Sequence, residues 1–182
     1  MANWIAQRNE LLGKAVIANL AKRNMEGYYC ATKEEALQKA LELIPETDVV
    51  TWGGSVSIDE IGLLAAVKER NPVIDRDTAA TMEEKVEMMR KGLTCDTFLM
   101  STNAMSEDGI LVNIDGNGNR VASLIFGPKQ VVIIAGVNKI TKVLDSAIAR
   151  ARGAAAPVNA QRFAVIRVPC AATAVCAYCN SP

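Results

Sequence analysis

The stretch "DVVTWGGSVSIDE", residues 48–60, decides the fold of this protein. Its first five residues form the kind of apolar run that is typical of a buried strand. Two glycines and a serine follow as a turn, and helical periodicity continues over residues 57–70. A buried strand that passes through a glycine turn into a helix is half of a βαβ unit. The stretch therefore predicts an α/β protein.

The same alternation extends in both directions from this stretch and predicts a mainly parallel sheet with helices on both faces. The exception is a β-hairpin region around a turn at 106–109, which we expect to be inserted near the active edge of a Rossmann-like, three-layer domain. The predicted domain covers residues 1–165, including an N-terminal helix at 1–25, and a cysteine-containing tail follows at 166–182. Further helices are predicted at 33–44, 81–92 and 138–152, strands at 27–31, 72–76, 97–102, 110–114 and 129–136, and a strand or short helix at 120–126.

Composition excludes several classes of function. The 20 basic and 20 acidic residues give no net charge, which argues against a nucleic-acid binder with a broad basic surface. The longest apolar run, residues 131–137, is far shorter than a membrane helix, and the N-terminus has no signal-peptide pattern. We therefore expect a soluble, cytoplasmic protein. The chain contains no histidine, so no mechanism can use a histidine base or metal ligand.

The glycine turn at the end of the predicted strand, Gly53, Gly54 and Ser55, is the first candidate ligand site. The glycines allow a close backbone approach, and a serine that caps the next helix leaves backbone N–H groups suited to a phosphate or carboxylate. The turn lacks the lysine of a phosphate-binding loop and the third glycine of a dinucleotide fingerprint. A plain strand–helix turn remains the alternative.

The second candidate is "STNAMSEDG", residues 101–109. It follows a predicted strand and presents Asn103, then Glu107 and Asp108 in a turn. Because the chain has no histidine, these carboxylates are the natural candidates for acid–base or nucleophilic catalysis. An ordinary hairpin turn without chemistry would have the same sequence.

The third candidate is the polar loop within "NIDGNGNRVA", residues 113–122. It fails as a calcium loop, because Arg120 replaces the required glycine and Phe126 the final glutamate. A flexible backbone can instead form an anion nest beside an arginine that binds a carboxylate or phosphate in bidentate fashion. A structural loop would account for the glycines but not for the arginine. The ligand-binding candidates here are Asp115, Gly116, Asn117, Gly118, Asn119 and Arg120.

Two smaller features complete the candidates. Asn138 is expected to cap the last helix, with Lys139 in its first turn, where a cation is unfavourable unless an anion lies nearby. A solvated surface lysine is the alternative reading. Among the cysteines, Cys30 and Cys95 are expected to be small buried hydrophobic residues.

Several stretches in order resemble the lactate-utilization (LUD) domain family. They are "TWGGSVSIDEIGL", "STNAMSEDGILVNIDGNGNRVASLIFGPKQVVIIAGVNKI", "ARARGAAAPVNAQRF" and "PCAATAVCAYCNSP". The resemblance runs from about residue 30 to the end of the chain. It implies the NagB/RpiA/CoA transferase-like fold of sugar-phosphate isomerases and CoA transferases. It also implies a part in bacterial growth on lactate, where such proteins act with iron–sulfur partners that oxidise lactate to pyruvate.

The resemblance matches several candidate residues to segments of the family, but it gives a chemical role to only one of them. The family's glycine-serine turn matches Gly53 to Ser55, and its polar loop matches residues 115–120. Its asparagine and acidic turn match Asn103, Glu107 and Asp108. A glutamate nucleophile passes to Glu107 only by analogy of fold. Two further readings stay open: a stand-alone isomerase or acyl-CoA transferase, and a non-catalytic ligand sensor or assembly subunit, with oligomerisation undecided in each.

The tail resembles the family's terminal cysteine motif. Cys170, Cys176 and Cys179 offer three thiolates of a four-thiolate iron–sulfur or zinc site, with Ala174 in place of the motif's glycine. The motif's fourth cysteine would follow Pro182, so we expect a truncated tail. A redox pair of thiols, or no role at all, are the alternatives.

Overall fold

The computed structural model describes residues 3–162 and 168–179, which divide into two compact units. The first, called here the sheet unit, contains Cys30–Ser101 and Asn117–Ala135. The second, the hairpin unit, contains the described parts of Met1–Tyr29, Thr102–Gly116 and Gly136–Pro182. Each unit is therefore assembled from segments that are distant in sequence.

A parallel sheet of three strands forms the centre of the sheet unit. Strands β1 (Val50–Trp52), β2 (Thr97–Met100) and β5 (Gln130–Ile133) lie in the order β1-β2-β5. Thr51 is in register with Phe98, which is in register with Val131. The residues of β1 and β2 are all buried, as expected for strands covered on both faces. The predicted α/β architecture with a mainly parallel, Rossmann-like sheet is confirmed.

Helices surround this sheet: α2 (Lys33–Leu43), α3 (Val56–Glu60), α4 (Leu63–Arg70), α5 (Met82–Lys91) and α6 (Asn119–Ile125). The predicted helix over 57–70 is interrupted at Gly62, whose left-handed φ of 76° ends α3. Helices α2 and α4 pack on β1 and β2 through a core that contains Ile44, Ile58, Leu63 and Leu99.

The predicted strand at 72–76 was largely wrong. Only Val73 bridges to Val50 of β1, and a 3₁₀ turn follows at Arg76–Thr78. The segment leaves the sheet after one bridge because the side chain of Asp75 accepts the N–H of Asp77 at 3.0 Å and closes a turn. Arg76 consequently lies next to the carboxyl end of β1.

The hairpin unit contains the inserted β region that the sequence predicted. Strand β3 (Ala104–Ser106) pairs antiparallel with β4 (Leu111–Val112) and parallel with β6 (Ile140–Thr141). Helix α1 (Trp4–Ala21) confirms the N-terminal helix, and α7 (Leu144–Arg150) packs on β3. A π-helical turn at Ala151–Ala155 leads from α7 into α8 (Ala156–Ala160), and α9 (Pro169–Thr173) lies further along the chain.

Two other sequence predictions were wrong. Residues 27–31 do not form a strand, and the last long helix begins at Leu144 rather than at Asn138. A 3₁₀ turn at Val137–Lys139 and strand β6 occupy the intervening residues, because β6 pairs with Met105 and Ser106 of β3. A strand pairing that links distant segments overrides the local helical pattern. Among the residues that the structure describes, none forms a helix long and apolar enough to cross a membrane.

Candidate functional site

The turn between β1 and α3 lies at the carboxyl edge of the parallel sheet. Gly53 is buried, and its N–H donates to the carbonyl of Leu99 in β2 at 2.9 Å. Gly54 is exposed. Ser55 is the cap of α3, as predicted, and its Oγ accepts the N–H of Ile58 at 3.4 Å. Neither glycine has a left-handed φ, and an added Cβ would be crowded by a neighbouring side chain at Gly53 but not at Gly54.

Arg120 packs directly over Gly53. A Cβ at position 53 would lie 2.9 Å from Cδ and 3.0 Å from Cγ of Arg120, which is too close for a real side chain. The arginine is only 9% exposed, and its Nη1 donates to the carbonyl of Ser101 at 2.9 Å. The structure therefore joins two of the predicted ligand-binding residues, which are far apart in sequence, at the ends of β1 and β2.

Arg76, which the sequence reading did not include, lies on the other glycine of this turn. Its Nη2 is 3.5 Å from the position that a Cβ of Gly54 would take, and its side chain is 13% exposed. Its Nε is buried and has no hydrogen-bond partner within residues 3–162 and 168–179. The carboxylate oxygen Oδ1 of Asp77 lies 4.0 Å from this Nε. A charged residue at the end of the predicted strand 72–76 was the only signal for Arg76 in the sequence.

The carboxylate of Asp77 is shared between several donors. Its Oδ1 accepts from Nζ of Lys85 at 3.1 Å, and its Oδ2 lies 3.4 Å from Nε1 of Trp52. Burial alone would raise the pKa of Asp77, but the hydrogen bond from Lys85 and the charges of Arg76 and Lys85 lower it below its ordinary value. Asp77 is therefore charged at neutral pH and is held by Lys85 more closely than by Arg76.

The polar loop at residues 115–120 is not a hairpin turn, because it leads from β4 into helix α6. Gly118 takes a left-handed φ of 77° and precedes the helix, which explains one of the two glycines. Asn119 and Arg120 are the first residues of α6. Asp115 and Gly116 belong to the hairpin unit, whereas Asn117 to Arg120 belong to the sheet unit.

In the hairpin unit, Glu107 lies in the tight turn between β3 and β4, as predicted. Its carboxylate forms an ion pair with Nζ of Lys142 at 2.6 Å. Its backbone carbonyl accepts from the side-chain amide of Asn19 in α1 at 2.9 Å. Both groups of Glu107 therefore link the turn to neighbouring segments of its own unit.

Asp108 is bound in the same turn. The hydroxyl of Ser106 donates to its Oδ1 at 2.5 Å, and Nη2 of Arg23 lies 3.1 Å from its Oδ2. The hydrogen bond from Ser106 is the main cause of a pKa below the ordinary value, and the charge of Arg23 acts in the same direction. Asp108 is thus an ionised carboxylate with two donors.

Asn103 and Asn138 are brought together by Arg150, the last residue of α7. Its Nε donates to the carbonyl of Asn138 at 3.1 Å, and its Nη1 donates to the carbonyl of Asn103. The side chain of Asn103 accepts the N–H of Ile114 at 3.0 Å. Asn138 was expected to cap the last helix, which is wrong because the cap position of α7 is Val143. Lys139 likewise ends the 3₁₀ turn before β6 and does not lie in the first turn of the last helix.

The cysteine tail is partly helical. Cys170 lies in α9, and Cys176 and Cys179 follow that helix. Ala174 ends α9 with a left-handed φ of 60°, a conformation that suits glycine, which gives a physical reason for the glycine in the motif that the tail resembles. Within the described part of the chain, no three cysteine or acidic side chains are grouped to hold a metal ion. The three cysteines in the described part of the tail are therefore not arranged as a metal site.

The predicted site residues therefore fall into separate groups. Gly53, Gly54, Ser55 and Arg120 surround one turn of the sheet unit, together with the added Arg76. The remaining candidates lie in the hairpin unit or its tail, except for Asn117 to Asn119, which precede Arg120.

Comparison with known proteins identifies the family. Residues 13–174 of the 182 match the family model of the LUD domain, whose name denotes lactate utilization. The searches of curated proteins and of solved structures gave no significant match. Since the matched segment spans most of the sequence and both units, the chain belongs to the LUD domain family and is a lactate-utilization-associated protein.

Proposed function

We propose that this chain is a ligand-binding component of a lactate-utilization system, and that it binds a small carboxylate or phosphorylated molecule at the turn Gly53–Ser55. The observation that carries the proposal is the position of Arg120, buried against Gly53 and bonded to the carbonyl of Ser101. In open α/β sheets, ligands bind beyond the carboxyl ends of the strands, where this turn lies. A guanidinium there can bind a carboxylate or phosphate through two parallel hydrogen bonds.

A thermal-shift screen with lactate, pyruvate, sugar phosphates and CoA esters tests this proposal. A ligand that binds only the native state raises Tm according to its concentration over Kd. We expect one class to raise Tm of the wild type and to need about tenfold more ligand for the same rise in Arg120→Lys, which keeps the charge but loses the planar fork. Arg90→Lys, at an exposed arginine of α5, is the matched control. Equal shifts in Arg120→Lys and wild type would contradict the proposal, as would the lack of any shift.

The second part of the proposal concerns iron–sulfur partners. Cys170, Cys176 and Cys179 are three thiols in a short segment, which would have to rearrange, or receive ligands from a partner, to hold a cluster or zinc. Iron, sulfide and zinc contents of reconstituted protein test this, with the triple Cys→Ser variant as the control. Equal metal contents in wild type and triple variant would exclude these thiols as ligands.

A non-catalytic role as a sensor or assembly subunit is the second candidate. The ion pairs of Glu107 with Lys142 and of Asp108 with Arg23 support it, because they give both carboxylates a structural role in joining the turn to neighbouring segments. The enzyme reading instead requires Glu107 to act on the substrate. If the screen identifies a sugar phosphate or CoA ester, turnover of that compound by wild type and Glu107→Gln separates the two. Turnover that is lost only in the variant would favour an isomerase or acyl-CoA transferase.

A further inference from the structure

We propose that Arg76 is a second anion-binding residue of the Gly53–Ser55 turn, and that the group bound over Gly54 is a phosphate monoester. This inference rests on the proposed function, because it adds a residue and a ligand class to the same turn. Arg76 reaches this turn through the single bridge between Val73 and Val50, which aligns the segment 73–76 with the end of β1.

The first argument is the unmet hydrogen-bonding capacity of Arg76. A buried donor without an acceptor costs free energy, and the cost is larger for a charged group. The Nε of Arg76 is such a donor within the described residues. Asp77 is too far to accept from it, at 4.0 Å, and its Oδ1 already accepts from Lys85. An anion beside the guanidinium would provide the acceptor that the surrounding residues of this unit do not.

The second argument is the space over Gly54. Gly54 is exposed and has an ordinary φ, so its backbone conformation does not require glycine. A Cβ there would stand 3.5 Å from Nη2 of Arg76, at the place from which a ligand oxygen would reach that nitrogen. A small rotation of the guanidinium would then let Nε, which lies on the same edge as Nη2, donate to the same group. Glycine at position 54 therefore keeps the approach to Arg76 open.

The third argument concerns the class of ligand. Arg76 packs on Gly54, and the aliphatic part of Arg120 packs on Gly53. The carboxylate of Asp77, 4.0 Å from Nε of Arg76, is paired with Lys85, so the turn has two cationic side chains packed against it. A carboxylate has one negative charge and two oxygens, which one guanidinium satisfies in bidentate fashion. A phosphate monoester carries close to two negative charges at neutral pH and has three terminal oxygens. It is therefore the better match in charge and in number of acceptors.

Isothermal titration with glycerol 3-phosphate, inorganic phosphate and lactate tests the inference in the full chain. The key variant is Gly54→Ala, because its Cβ makes only ordinary contact and should leave the fold intact. Gly153→Ala is the matched control, since nothing lies within 4 Å of a Cβ there. Arg76→Gln removes the charge, and Arg90→Gln removes an exposed arginine of the same unit.

We expect glycerol 3-phosphate to bind the wild type more tightly than lactate, and its affinity to fall about 10- to 100-fold in Gly54→Ala and Arg76→Gln. Both control variants should bind like the wild type. Binding of the phosphate should also weaken from pH 7.5 to pH 5, because the second ionisation of a phosphate monoester has a pKa near 6.

Unchanged phosphate affinity in Gly54→Ala and Arg76→Gln would overturn the role of Arg76 while leaving the proposed function intact, provided that Arg120→Lys still weakens binding. Tighter binding of lactate than of either phosphate would overturn the ligand class alone. If no anion binds the wild type, both the inference and the proposed function are wrong.

Discussion

At the scale of single residues, glycine at position 53 leaves room for the side chain of Arg120. The Gly53→Ala substitution would place a Cβ 2.9 Å from Cδ of Arg120, and the buried arginine would have to move. Overpacking of this kind costs roughly 1–3 kcal/mol, so we expect the free energy of unfolding in urea to fall by that amount. Gly153→Ala, in open space, controls for the added methyl group. Equal stabilities of Gly53→Ala and wild type would show that Arg120 is not held against the turn.

The thiols differ in reactivity for reasons of burial. Desolvation, helped by the charge of Asp96, raises the pKa of Cys95 to about 11, whereas Cys179 is exposed. Because the thiolate is the reactive form, iodoacetamide at pH 8 should alkylate Cys179 in the native protein and Cys95 only in urea. Peptide mass spectrometry measures both sites in one sample. Rapid native labelling of Cys95 would contradict its burial.

The sequence predicted some of the residues that the structure places around the Gly53–Ser55 turn. Gly53, Ser55 and Arg120 were predicted as ligand-binding residues because a glycine-serine turn suits an anion and because an arginine closes a glycine-rich polar loop. Arg76 was not predicted, because its position beside Gly54 follows from a bridge between two segments and not from any local motif.

At the scale of elements, helices α2, α3 and α5 of the sheet unit begin with side-chain caps. In α5 the hydroxyl of Thr81 accepts the N–H of Glu84 at 3.1 Å, and the carboxylate of Glu84 accepts the N–H of Ala80 at 2.8 Å. The same arrangement at the start of α2 involves Thr32, Glu35 and Ala31. Such caps satisfy backbone donors that a helix start otherwise leaves without an acceptor.

We expect Thr81→Ala to lower the free energy of unfolding by about 1 kcal/mol, the usual value of an N-cap. Urea unfolding followed by circular dichroism measures this change. Thr94→Ala is the control. This exposed threonine follows α5, and its hydroxyl donates to the carbonyl of Lys91. A cost in Thr94→Ala as large as in Thr81→Ala would argue against a specific effect of the cap.

Element predictions succeeded where the local pattern and the tertiary contacts agree. The turn at 106–109 and the strands at 50–52 and 97–100 are examples. The apolar run at 120–126 suited either a strand or a helix, and a left-handed glycine at 118 starts a helix there. For residues 138–141, pairing with β3 decided against the predicted helix.

At the scale of the whole molecule, several carboxylates couple stability to pH. The hydrogen bond from Lys129 lowers the pKa of Asp96, the bond from Ser106 lowers that of Asp108, and the donors around Asp77 outweigh its burial. A carboxyl group with a lowered folded-state pKa stabilises the fold above its unfolded value, here 3.8, and loses that effect as pH falls through the folded value.

We therefore expect these groups to leave Tm nearly constant between pH 7 and about pH 5, and to lower it below about pH 4. Asp96→Asn should be less stable than the wild type at pH 7 and should lose less stability on acidification. Calorimetry across this range measures both effects, with Asp59→Asn, at an exposed residue of α3, as the control. The same acid slope in Asp96→Asn and wild type would exclude Asp96 as a source of the pH dependence.

Hydrophobic periodicity and turn chemistry act over neighbouring residues, so the sequence alone predicted the α/β class, the central strands, the inserted hairpin and the glycine turn. The division of the segments into two units became known from the tertiary structure, since each unit joins stretches that are far apart in the chain. The tertiary structure also placed Arg76 and Arg120 on the two glycines of one turn. Contacts of this kind depend on strand pairing and packing between distant segments, which no local pattern contains.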